Sequence, residues 1–209
     1  MLIKGSPDRN ASRRQVLALG AGAMISMGLA APSANAASDV VLAVTPIAQT
    51  RDWSCWAAAA AMLLTWQRGA PAYTELDVAH QAGPNFETAF TNDTGLLGTE
   101  FAAFASALGL IAEAPQNFTA EGYADLLSHG PLWVGASLQD PGGPRRHIRV
   151  LRGVTGLNDQ GGPTAWVIDP DGGRAYSETL SQFAQEMETI ARQEIKVGGT
   201  LFPQILHLP

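Results

Sequence analysis

The single cysteine of this 209-residue chain, Cys55, opens a run to Trp66 in which Thr65 is the only polar residue and Ala57 to Ala61 are consecutive alanines. A thiolate is the strongest nucleophile among ordinary side chains, and a helix start favours it by presenting unpaired N–H groups and the positive end of the helix dipole. Ser54 can cap such a helix. The plainer reading is that cysteine is a small buried hydrophobe on a buried helix. A nucleophilic thiol needs a base, and four histidines are available. His80 falls within a short predicted helix, His129 at a helix end and His207 two residues from the C-terminus, whereas His147 opens the strand-like stretch His147 to Val154. His147 is therefore the best candidate. Its other ring nitrogen needs an acceptor. Asp169, at the end of Trp166-Val167-Ile168 and before Pro170, can supply one; an Asp before Pro is also a common turn opener, and Asp171 is the alternative.

The elements that must position these residues follow from pattern. Val40 to Val44 is extended in character, and Thr45-Pro46 discourages helix. A helix from Cys55 to Trp66, apolar on every face but twelve residues long, reads as a core helix rather than a membrane span, and Gln67-Arg68-Gly69 ends it. Further helices are expected from Thr74 to Gln81, Thr99 to Leu108 and Thr119 to His129, each opened by a capping Thr. Gly83 to Gly98 reads as a loop. After Pro131 the pattern turns to strands: Leu132 to Leu138, about 147 to 155, 165 to 169 and a short one near Arg174 to Tyr176. Pro141 to Pro144 and Gly161-Gly162-Pro163 read as turns. A helix from Leu180 to Ile190 and a last strand near Phe202 to Leu208 complete the chain. The expected class is α+β, with a helical lobe at about 46–129 and a β lobe at about 130–209.

The segment Gln49-Thr50-Arg51-Asp52-Trp53-Ser54-Cys55-Trp56-Ala57 resembles the nucleophile segment of papain-like cysteine peptidases, with a Gln six residues before the Cys and an apolar helix behind it. Trp53 stands where the plant and lysosomal enzymes carry glycines, which points to the smaller bacterial branch of effector proteases and bacteriocin-leader peptidase domains. The resemblance implies that the Gln49 amide and the Cys55 N–H form an oxyanion hole, as a tetrahedral intermediate requires. It also implies that Gly130 to Gly135 and the His147 strand are the family's paired strands, and that Asp169, in an Asp-Pro turn, orients His147 where papain itself has Asn. The expected activity is peptide-bond hydrolysis on a protein or peptide substrate, without cofactor or metal. The same machinery runs transpeptidation, deamidation or amidase chemistry, and a binding module that retains the fold without turnover is the competing class.

The formal charge is −6, and beyond residue 36 the chain carries 9 basic against 18 acidic residues, a poor match to nucleic acid. One cysteine excludes an intrachain disulfide and a Cys-rich zinc site. Arg13-Arg14 before the apolar run Val16 to Ala31, and Ala34-Asn35-Ala36 before Ala37, read as a twin-arginine export signal over residues 1–36, with the peptidase domain over 37–209. The expected location is periplasmic or extracellular, with no membrane span once the leader is removed; the oligomeric state is not legible. Arg145, Arg146, Arg149 and Arg152 surround His147 and read as an electropositive rim or as surface ion pairs. Glu75, Asp77, Glu186 and Glu188 read as solvated helix faces.

Overall fold

Alanine carries no side-chain entropy into a helix and keeps the cylinder thin, so five in a row allow neighbours to close on a helix from all sides. The computed structural model describes residues 38–209 apart from 70, 141–142 and 197–198. The expected leader, its cleavage point and Pro141-Gly142 of the expected turn lie outside those residues. Helix α1 (Cys55–Arg68) is buried from Cys55 through Leu64. It stops at Gly69, whose φ of +82° glycine adopts without a Cβ penalty.

Around α1 stand α2 (Glu75–Ala82), α3 (Pro84–Thr91) and α4 (Phe101–Leu108). Thr74 caps α2 in a capping box with Asp77, so Asp77 is part of a helix start rather than a free surface charge. Helix α3 corrects the expectation of a loop across Gly83 to Gly98. Pro84 sits at a helix start, where its missing N–H costs nothing, and Phe86 and Phe90, four apart, are both buried. Helix α4 begins two residues later than expected, because a 3₁₀ turn, Gly98–Glu100, precedes it and the Glu100 carboxylate accepts from the Leu97 N–H. Helix α5 (Ala120–Leu127) is capped as expected by Thr119, whose hydroxyl accepts from the Gly122 N–H.

The strands are β1 (Val40–Val41), β2 (Ile111–Ala112), β3 (Leu132–Asp140), β4 (Gly143–Thr155), β5 (Thr164–Asp169), β6 (Arg174–Thr179) and β7 (Ile205–His207); α6 (Leu180–Lys196) runs six residues past its expected end. They form an antiparallel sheet in the order β2-β7-β3-β4-β5-β6, with β1 added against β4. Strand alternation divides the apolar residues between two faces. Trp133, Ile148, Val150, Ile168 and Leu206 pack with α1, whereas Leu132, Val134, Leu151, Val167 and Ile205 pack with Tyr123 and Leu127 of α5 and Phe183 and Met187 of α6. Helix α5 thus belongs to the far face of the sheet, although its sequence position groups it with the helical half. Tyr123 and Leu127 form a stripe that must be covered, and Phe183 covers it edge-on with ring centroids 5.8 Å apart. Among the described residues no helix is long and apolar enough to cross a membrane.

Candidate active site

Helix α1 brings its first residue, Cys55, to the edge of a cavity of about 400 Å³ between the helices and β4. Its walls include Trp53, Asp93, Leu97, Phe101, Arg146 and Ile148. The sulfur residue is 7% exposed, so the thiol is sheltered yet opens to that space. Trp56, next in sequence, anchors the helix start from behind. Its carbonyl accepts from Trp133 Nε1 at 3.1 Å, its own Nε1 donates to Thr94 O at 3.3 Å, and Phe104 meets its ring edge-on.

Ser54 does not cap α1, contrary to expectation. Its hydroxyl is drawn instead to Glu75 Oε1 at 2.6 Å. Glu75 is correspondingly buried, 4% exposed, and not a solvated helix residue. Asp93 closes the segment from the other side: its two carboxylate oxygens accept from Trp53 N at 2.9 Å and Asp52 N at 3.3 Å. It is the one non-glycine among the described residues with positive φ, 51°, a conformation Asp tolerates better than most. Sequence reasoning missed both carboxylates as parts of the site; the turn composition Asn92-Asp93-Thr94-Gly95 was the available signal for Asp93.

His147 lies on β4 opposite Ala136 of β3 and is 1% exposed. Its Nε2 is 2.7 Å from Asp169 Oδ1. Its Nδ1 has no hydrogen-bond partner of ordinary geometry, while Cys55 interacts with the ring electrostatically. Burial disfavours the imidazolium, but the hydrogen bond to Asp169 and the neighbouring Cys55 outweigh it and push the His147 pKa up to about 9. Asp169 ends β5 and is 3% exposed. Burial raises its carboxyl pKa, yet His147, the Asp171 N–H and Arg174 more than compensate and hold it below the usual range. Asp169 also serves as its own turn opener, because Oδ1 accepts from Asp171 N at 2.8 Å. Cys55, His147 and Asp169 are thus gathered into one site. Asp171 offers that site only its N–H.

Gln49 approaches from the same side as the Asp169 turn, its N–H donating to Pro170 O at 2.8 Å. Its amide nitrogen donates to Arg51 O at 2.7 Å and Asp52 O at 3.0 Å, and Oε1 is buried without a hydrogen-bond partner. The remaining histidines stand elsewhere: His80 pairs with Glu87 on the surface, His129 is exposed after α5, and His207 on β7 lies 2.9 Å from Glu113. The four arginines do not form one rim. Arg149 is buried and paired with Glu178, Glu186 and the Tyr176 hydroxyl; Glu186 itself keeps a side chain 38% exposed. Arg152 donates to Leu42 O, Arg145 stacks on Trp53 and Arg146 on Phe101. Glu188 accepts from Asn117 and pairs with Arg192. No group of residues suited to a metal ion occurs among the described residues.

No curated protein sequence matches the chain. The family model described as papain-like cysteine protease AvrRpt2 matches residues 35–188, from ahead of β1 into α6. Because that match covers more than half of the chain, including the Cys55 helix and the strands of His147 and Asp169, the protein belongs to the papain-like cysteine protease AvrRpt2 family and is a cysteine peptidase.

Proposed function

We propose that the protein is an exported peptidase in which Cys55, His147 and Asp169 act as nucleophile, acid–base and orienting group, with Gln49 and the Cys55 N–H as oxyanion donors. The observation that carries this reading is the buried His147 ring, fixed by Asp169 through Nε2, with Nδ1 left unbonded and Cys55 close enough to interact with the ring. Asp169 holds the tautomer and stabilises the imidazolium. Cys55 attacks the peptide carbonyl as a thiolate paired with His147 imidazolium, forming a C–S bond while the carbonyl electrons move to oxygen. His147 then protonates the leaving amine as the C–N bond breaks. Water, deprotonated by the now neutral imidazole, hydrolyses the thioester and restores the pair.

Gln49 enters after a small rearrangement: one amide proton leaves its backbone acceptor and turns to the oxyanion. The unmet Gln49 Oε1 favours such mobility, since a buried unsatisfied acceptor costs about 1–3 kcal/mol. The twin arginines ahead of an apolar run motivate the assignment to an exported enzyme. Proteome-wide cleavage-site profiling with the protein beside its Cys55→Ala variant tests the activity. Cleavage present with the parent and absent with Cys55→Ala is expected; equal profiles sink the reading, and products of transpeptidation or deamidation without new N-termini reassign the bond. Localisation is read from fractionation with and without Arg13 and Arg14 replaced by Lys.

A further inference from the structure

Four helix starts among the described residues carry a hydroxyl residue, and Ser54 behaves differently from Thr74, Thr119 and Thr179, the last of which accepts from Gln182 N ahead of α6. Thr74 has ψ 164° and Thr119 has ψ 171°, the extended backbone of an ordinary cap, and their side chains accept from Asp77 N and Gly122 N. Ser54 has φ −93° and ψ 14° and makes no cap bond. The ψ angle of Ser54 sets the plane of the Ser54–Cys55 peptide, so it sets where the Cys55 N–H points. An ordinary cap conformation would turn that N–H by about 150°, the difference between ψ 14° here and the ψ of 164° and 171° at Thr74 and Thr119.

The departure has a visible cause in Glu75. Its Oε1 accepts from the Ser54 hydroxyl at 2.6 Å, and its two oxygens lie 3.2 and 3.0 Å from the Thr50 N–H. The Thr50 hydroxyl makes a further bond to Oε2. Ser54 Oγ also accepts from Arg51 N at 3.2 Å, so the hydroxyl is occupied on both sides and turned away from the helix. One buried carboxylate therefore grips the residue after Gln49 and the residue before Cys55.

We propose that Glu75 is a positioning residue of the reaction: by holding Ser54 out of its capping conformation and Thr50 in place, it aims the Cys55 N–H and seats Gln49 for the oxyanion. The inference rests on the oxyanion roles given to those two residues above. Glu75 touches neither substrate nor thiol. Its effect is on the geometry of donors that matter only when a tetrahedral intermediate forms, so its loss is felt in kcat more than in KM or in simple alkylation of the thiol.

The test is a two-residue cycle in the full-length protein, with Cys55→Ala as the reference for the underlying reading. Glu75→Gln keeps size but leaves one acceptor oxygen with two lone pairs for three donors, the Ser54 hydroxyl and the N–H and hydroxyl of Thr50, so the grip on the two residues loosens and the Ser54 hydroxyl is free to return to the helix end. The expected result is a fall in kcat of about tenfold or more, a part of the 10² to 10³ that loss of an oxyanion donor brings, with Cys55 alkylation by iodoacetamide within about threefold of the parent. Adding Ser54→Ala removes the competing cap, so the double variant regains at least part of the lost kcat even though it melts no higher. A residue that only stabilised the fold would give the opposite order, the double variant being the worse in both respects. Parental kcat in Glu75→Gln, or no recovery in the double variant, overturns the proposal. Turnover that survives Cys55→Ala instead overturns the reading on which it rests. Should Glu75→Gln not fold, Glu75→Asp, which withdraws the carboxylate by one methylene, gives the same comparison with and without Ser54→Ala.

Discussion

His147 and Asp169 meet across the neighbouring strands β4 and β5, Nε2 to Oδ1 at 2.7 Å, with both side chains all but closed to solvent. In such surroundings a charged partner is worth far more than on a surface, because little water competes for either group. The imidazolium is consequently kept to about pH 9 instead of the ordinary 6.5.

That value sets the alkaline side of the activity profile. Peptidase kcat/KM is expected to hold through neutral pH and to fall with a midpoint near 9, as His147 loses its proton. The sign for stability is the same. A histidine whose folded-state pKa lies above its unfolded one contributes stability that is complete below about 6.5 and lost as pH rises through about 9. Urea melts of the parent and His147→Ala across that interval check it: the parent's advantage shrinks with rising pH. A midpoint near 6.5 in both measurements would remove Asp169 and Cys55 as the cause.

Asp169→Asn keeps an oxygen for His147 and for the Asp171 N–H but removes the charge that supports the imidazolium. Its alkaline limb is expected to move down from about 9, with a loss in kcat/KM smaller than that of Asp169→Ala. The alanine variant also leaves His147 Nε2 buried without an acceptor, and its loss should approach the 10² to 10⁴ of a general acid–base group. Equal activity of parent and Asp169→Ala would transfer the orienting role away from this residue.

The components of this site were unequally legible in the sequence. Cys55 and Asp169 sit at the start and the end of regular elements, where pattern changes sharply, whereas His147, expected to open its strand, lies inside β4, which begins four residues earlier at Gly143; the strands of His147 and Asp169 read from their apolar runs. Helix α3 was hidden because the segment Gly83 to Gly98 around it is rich in Gly, Asn and Thr, whereas two phenylalanines four apart decide its fold. Glu75 looked like a first-turn acid beside Asp77. Only the three-dimensional return of the chain places Thr50 and Ser54 against one of them and solvent against the other. Burial of a charge by partners 21 and 25 residues away leaves no periodic trace. The same is true of Arg149, whose partners come from β6 and α6.

Arg149 is 1% exposed and its guanidinium lies 2.9 Å from Glu178 and 2.8 Å from Glu186. Arg149→Met retains volume but strands Glu178, whose side chain is 14% exposed, while Glu186 at 38% can turn to water, so the cost falls toward the low end of the about 3–5 kcal/mol typical of a broken buried pair. Burial already raises the Glu178 pKa; without Arg149 it rises further, so the variant's deficit is expected to shrink as pH falls and the carboxylates take protons. Urea melts at pH 7.5 and 5 check this. A deficit under 1 kcal/mol, or one that does not change with pH, would show that the network contributes nothing beyond packing.

Gln49 poses the sharpest question, because its amide nitrogen is already spent on Arg51 O and Asp52 O. Two roles are separable by chemistry that builds an oxyanion and chemistry that does not. Gln49→Ala is expected to lower kcat by about 10² to 10³, while alkylation of Cys55 by a chloroacetamide changes little, since displacement at saturated carbon needs no oxyanion donor. A peptide aldehyde, whose thiohemiacetal oxygen occupies the oxyanion position, should lose affinity alongside kcat/KM. Gln49→Glu should be at least as damaging as the alanine variant, because a carboxylate there faces two backbone carbonyls with no proton to offer and sets a negative charge near the thiolate. If the segment from Arg51 to Asp52 needs Gln49 only as a brace, alkylation, aldehyde binding and turnover fall together in both variants. Loss of turnover and aldehyde binding with alkylation intact places Gln49 at the reacting carbonyl.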